Sequence, residues 1–65
     1  MFRERLIDLI GESVKMTIHN ITRHFTILQV HDDWVELELD RGKYAEVPLS
    51  QIVAIYKDED LESWR

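Results

Sequence analysis

The sequence predicts a mainly β domain: a small, closed, five-stranded barrel preceded by one short α-helix. Three stretches carry that expectation. Gly42 to Lys57, GKYAEVPLSQIVAIYK, reads as a strand, a tight turn holding the chain's only proline, and a closing apolar strand. In Trp34 to Asp40, Val35, Leu37 and Leu39 face one way while Trp34, Glu36, Glu38 and Asp40 face the other, the period of a half-buried strand. At the start of the chain, Phe2 to Ile10 mixes apolar and charged residues at helical spacing.

Taken in order, Phe2, Leu6 and Ile10, with Leu9 beside them, form one stripe of the helix. Arg3, Glu4, Arg5 and Asp8 take the other side, and Gly11 stands where a left-handed cap would end it. A helix this short is unstable alone in water, so it must dock its stripe, and the open end of the barrel is the expected seat. Val14 to His19 alternates as the first strand. His19-Asn20-Ile21-Thr22 connects it to a second run, Arg23 to Val30. There the alternation breaks at Ile27-Leu28, as happens where a strand bends or bulges.

His31-Asp32-Asp33 turns the chain into the third strand, and Asp40-Arg41-Gly42-Lys43 turns it out again, with Gly42 free to take positive φ. Tyr44 to Val47 is the fourth strand, Pro48-Leu49-Ser50-Gln51 a single helical turn, and Ile52 to Tyr56 the fifth strand. Residues 1–57 are expected as one domain and residues 58–65 as an acidic tail that carries Trp64.

Composition narrows the function classes. A domain of 65 residues buries a small core, and such domains lean on disulfides, metals or oligomerisation for stability. No cysteine is present, which removes disulfides and thiolate metal sites. Oligomerisation is left as the expected support. The 13 acidic and 8 basic side chains leave a net charge of −5, a poor field for a phosphate backbone. No stretch has the length of uncharged apolar sequence that spans a bilayer, and the N-terminal run carries charges within it. A soluble, cytoplasmic protein is expected, without a membrane partner.

Helix, then five short strands with one helical turn before the last, is the order found in Sm-like barrels. LIGESVKMTI resembles the helix-to-first-strand entry of the bacterial Sm-like proteins, and FTILQVHDDWVELEL their bent second strand, acidic turn and third strand. YAEVPLSQIVAIY resembles the last two strands of small bacterial SH3-like and Sm-like domains. The likeness spans Leu6 to Tyr56 and rests on strand pattern. It implies a ring of about six or seven subunits whose fourth and fifth strands pair with neighbours. In RNA-binding members, the turns after the second and fourth strands line a pore that accepts uridine-rich RNA. On this chain those turns place a candidate binding surface at His31, Asp33, Trp34, Ser50 and Gln51. The chain departs from the RNA-binding pattern near Thr26, where the family has glycine. It departs again where an asparagine holds a base, with Val35 or Glu36 near that place, and at Leu49-Ser50, in place of arginine-glycine.

No set of residues forms a catalytic signature, and no enzyme is expected. His19, His24 and His31 match no metal-ligand spacing and read as turn and strand-edge histidines. Glu36, Glu38 and Asp40 read as a solvated outer face. Ser13, Ser50 and Ser63 have no nucleophile motif around them. Lys15 and Arg23 are expected to share a face near the first hairpin as a small positive patch. Trp34 lies opposite the core residues of its strand, which suits an interface. No cofactor or metal is expected. The expected function is a non-enzymatic oligomeric module for protein interaction or assembly, with an RNA-binding ring as the alternative.

Overall fold

The computed structural model describes residues 2–56. The expected acidic tail, with Trp64, lies outside the described residues. Helix α1 covers Phe2–Asp8, β1 Ser13–Ile18, β2 Ile21–Val30, β3 Trp34–Asp40 and β4 Lys43–Pro48. A 3-10 turn at Leu49–Gln51 leads into β5, Ile52–Tyr56. The protein is mainly β, as its alternating runs require.

All five strands form one antiparallel sheet in the order β4-β3-β2-β1-β5. The chain passes from one edge of that sheet to the other through the 3-10 turn alone. Three residues span at most about 10 Å, so the sheet must curl until its two edges come close at that end. Closure stops there. Among the described residues β4 pairs only with β3 and β5 only with β1, so the expected closed barrel is an open, curled sheet with two free edges.

Bulges supply the curl. The register slips between Ile27 and Gln29 on β2, between Glu38 and Asp40 on β3, and opposite Thr17 and Ile18 on β5. Each inserts an extra residue (Leu28, Leu39 and Val53) and bends its strand. The β2 bulge falls where the alternation breaks. The β3 bulge corrects one expectation: Asp40 does not continue the outer face of Glu36 and Glu38. It is paired with Lys43, one residue from the Tyr44 that faces Glu38, so it turns to the opposite face. There its Oδ1 lies 3.3 Å from Arg23 Nη2.

The concave face holds the core. Val14, Met16, Phe25, Ile27, Val35, Leu37 and Ile52 are buried there, and Leu6 of α1 is completely so. Leu9 packs beside it, whereas Ile10, expected on the same stripe, is 40% exposed. The reason is local: the helix ends at Asp8 and the chain unwinds through Gly11 at φ +90°, so helical spacing no longer aims Ile10. Gly11 N–H then donates to the Ile27 carbonyl at 2.7 Å, and Ile27 N–H to the Glu12 carbonyl at 3.1 Å, which ties the helix exit to β2.

The β1–β2 register also revises the expected positive patch. Lys15 lies opposite His24 on the outer face, while Arg23 lies opposite the buried Met16 on the inner one. The two cations therefore sit on opposite faces. Arg23 rests its guanidinium over Phe25 at 5.8 Å and pairs with Asp40.

Candidate functional site

Two surfaces qualify, and the first is the acidic turn between β2 and β3. His31 N–H donates to the Trp34 carbonyl at 2.8 Å and closes the turn around Asp32 and Asp33. The Asp33 carbonyl accepts Leu49 N–H at 2.9 Å, and Trp34 lies opposite Pro48 in the β3–β4 ladder. His31, Asp33 and Trp34 thus meet the start of the 3-10 turn, where Ser50 is exposed. Gln51 serves elsewhere: its carbonyl accepts His19 N–H at 3.1 Å and braces the β1–β2 hairpin.

The rings of His31 and Trp34 stack at 3.8 Å between centroids, with 13° between their planes. His31 Nε2 lies 3.3 Å from Glu36 Oε1, and Arg3 Nε donates to the His31 carbonyl at 3.1 Å. Arg3 Nη2 also approaches Asp32 Oδ1 at 3.7 Å. Asp32 is fully solvated, so that pair contributes little beyond orientation. Arg3 and Glu36 are members of this cluster that the sequence does not point to. Trp34 faces away from the core, as its alternation requires, and stays half-buried because His31 covers one face of its indole.

The second surface consists of the sheet's two edges. Tyr44 on β4 is 66% exposed, and Val53 and Tyr56 on β5 are 60% and 46% exposed. Beside β4, a groove of about 480 Å³ is lined by Leu28, Glu36, Tyr44, Ala45 and Glu46. Glu36 and Glu46 lie directly opposite each other on its outer face, a like-charge pair that costs stability. At the other edge, Lys15 reaches over β5 and holds its Nζ 5.6 Å from the centre of the Tyr56 ring. Tyr56 and Thr17 hydroxyls meet at 3.3 Å, and Thr17 also bonds Thr22 at 2.6 Å, which stiffens the outer face at this edge.

The three histidines are not gathered. His19 occupies the hairpin turn, His24 lies down the ladder opposite Lys15, and His31 sits at the far turn. Among the described residues no cluster of three or more His, Cys, Asp or Glu side chains is placed to hold a metal ion. No helix among them is long and apolar enough to cross a membrane. No family model, curated protein or solved structure matches this chain.

Proposed function

We propose that this chain is a non-enzymatic, cytoplasmic assembly module: an Sm-like or SH3-like β domain that joins copies of itself edge to edge and offers the assembled surface to a protein partner. One observation carries the reading. Among the described residues no strand covers either edge of the sheet, and each edge presents large apolar side chains to solvent, Tyr44 on one and Val53 and Tyr56 on the other. A strand edge with unpaired N–H and C=O groups is a template for another strand, and natural monomers blunt such edges. On β4 the blunting devices are Lys43, Glu46 and the terminal Pro48, and on β5 the bulge at Val53, and they leave Tyr44, Val53 and Tyr56 exposed.

Size argues the same way. The core has eight buried hydrophobic residues among those described, and no disulfide supports it. A core this small gains from burying edge surface against further copies. Pairing of β4 on one copy with β5 on the next is heterologous, and repetition through a constant rotation closes a ring.

An RNA-binding ring is the second reading, favoured by the stacked His31–Trp34 pair at a turn, since aromatic faces stack bases. Asp32, Asp33 and Glu36 surround that pair with negative charge, which works against a polyanion and supports the protein-binding reading over it. The test is the subunit count in solution. A particle of several copies supports the assembly module, whereas a monomer at every concentration removes it and the ring alternative together.

A further inference from the structure

Backbone pairing alone does not decide which edge meets which. A β4–β4, a β5–β5 or a β4–β5 seam would each satisfy the free N–H and C=O groups. We infer that outer-face charge makes this choice: the Glu36/Glu46 pair beside the β4 edge is complementary to Lys15 beside the β5 edge of a second copy, and like charges exclude the other two seams. This inference rests on the edge-to-edge assembly proposed above.

The register places all three residues on the same face. Glu46 lies between the inward-facing Ala45 and Val47 and opposite Glu36, and Lys15 lies between the buried Val14 and Met16 and opposite Tyr56. Strand side chains alternate with period 2, so a continued sheet that keeps its apolar face intact must keep its outer faces together. Only registers that bring the outer face of β4 beside the outer face of β5 are then allowed.

Distance permits the contact. Neighbouring strands lie about 4.8 Å apart. Lys15 belongs to β1, one strand in from the edge, but its Nζ already stands over Tyr56 on the edge strand itself. In a seam register that sets Glu46 of the adjoining copy beside Tyr56, one further strand spacing separates the two charges. Within one chain neither group is satisfied: among the described residues Glu46 makes no ion pair, and Lys15 has only the Tyr56 ring.

The alternatives are penalised. A β4–β4 seam sets two Glu36/Glu46 stripes side by side, and a β5–β5 seam sets Lys15 against Lys15. Like charges placed together at an interface reject wrong pairings more effectively than attraction alone selects the right one. The Glu36/Glu46 repulsion retained within each chain becomes intelligible as the stability given up for that selectivity.

Charge reversal tests the inference in full-length protein, read by light scattering behind a sizing column. Glu46→Lys alone and Lys15→Glu alone should each raise the concentration needed for assembly by about tenfold or more, since one reversal sets like charges across every seam. Mixing the two variants should restore assembly. At one seam the lysine introduced beside β4 of the first variant meets the glutamate introduced beside β5 of the second, and at the next seam the native Glu46 and Lys15 meet. The double variant should assemble alone. Circular dichroism checks folding, and Lys15→Gln and Glu46→Gln replace any reversal that unfolds, with a smaller loss expected. A wild-type assembly that is unmoved by single reversals, or not restored by mixing, overturns the charge rule and leaves the assembly standing. A monomeric wild type overturns both.

Discussion

Leu6→Ala is expected to destabilise the domain severely, while its neighbour Ile7→Ala is nearly silent. Leu6 is completely buried in the core, whereas Ile7 is 40% exposed. Helix α1 has seven residues, too few for independent stability, so its order depends on that anchor. The transfer of a leucine side chain from water is worth about 1.5–3 kcal/mol, and the cavity left behind raises the cost to about 2–5 kcal/mol. At about 0.05–0.15 kcal/mol per residue, a domain of this length holds about 3–10 kcal/mol in total. A loss of about 3 kcal/mol therefore removes a third or more of the stability. The expected cost of Ile7→Ala is below about 1 kcal/mol. Urea titration followed by far-ultraviolet circular dichroism separates the two. Both variants and the wild type must be compared at one protein concentration, because assembly adds to apparent stability. A Leu6→Ala midpoint within error of that of Ile7→Ala would refute the view that the buried Leu6 side chain anchors the helix.

Two further substitutions probe the turns. His19 holds φ at +56°, a left-handed conformation that costs an L-residue about 1–2 kcal/mol, and glycine returns about 0.5–1 kcal/mol of that as chain entropy. His19→Gly should then raise the melting temperature by about 3 °C, and a fall would show that the imidazole contributes more than its backbone strain costs. Trp34→Ala removes the ring stacked on His31 and should cost about 1–2 kcal/mol in a urea titration. Trp34→Phe, which keeps a stacking face, should recover most of that loss; equal losses in both would show that stacking is not what holds the turn.

The strands were legible because their burial is one-sided. β3 and β5 run over Trp34–Asp40 and Ile52–Tyr56, the same residues that alternation and the apolar run single out. The β2 bulge was legible too, since Ile27-Leu28 breaks the alternation. The β3 bulge was not: Val35 to Asp40 alternates without interruption, so nothing in the pattern warns that Leu39 is the extra residue and that Asp40 turns toward Arg23. The first hairpin misleads for a different reason. Its loop is only His19-Asn20, with the positive φ carried by a histidine in place of the usual glycine or asparagine. That loop sets the register which places Lys15 and Arg23 on opposite faces.

At the candidate site, the local part could be read and the distant part could not. His31, Asp33 and Trp34 are near neighbours in sequence, and Pro48-Leu49 meets them through the ladder. Arg3 reaches the same turn from the far end of the chain, and no spacing rule connects a first-turn helix arginine to a carbonyl in a distant loop. The open sheet edges were equally hidden. The likeness to ring-forming barrels implies that β4 and β5 meet neighbouring copies, but alternation within single strands carries no sign of whether the two pair with each other.

The absolute mass of the particle, followed by light scattering over a wide range of protein concentration, tests the central claim most directly. Several copies per particle are expected, with single chains appearing only on strong dilution. A single chain at every concentration would contradict edge-to-edge assembly, because the free edges would then need no partner strand and the exposed Tyr44, Val53 and Tyr56 would require another explanation.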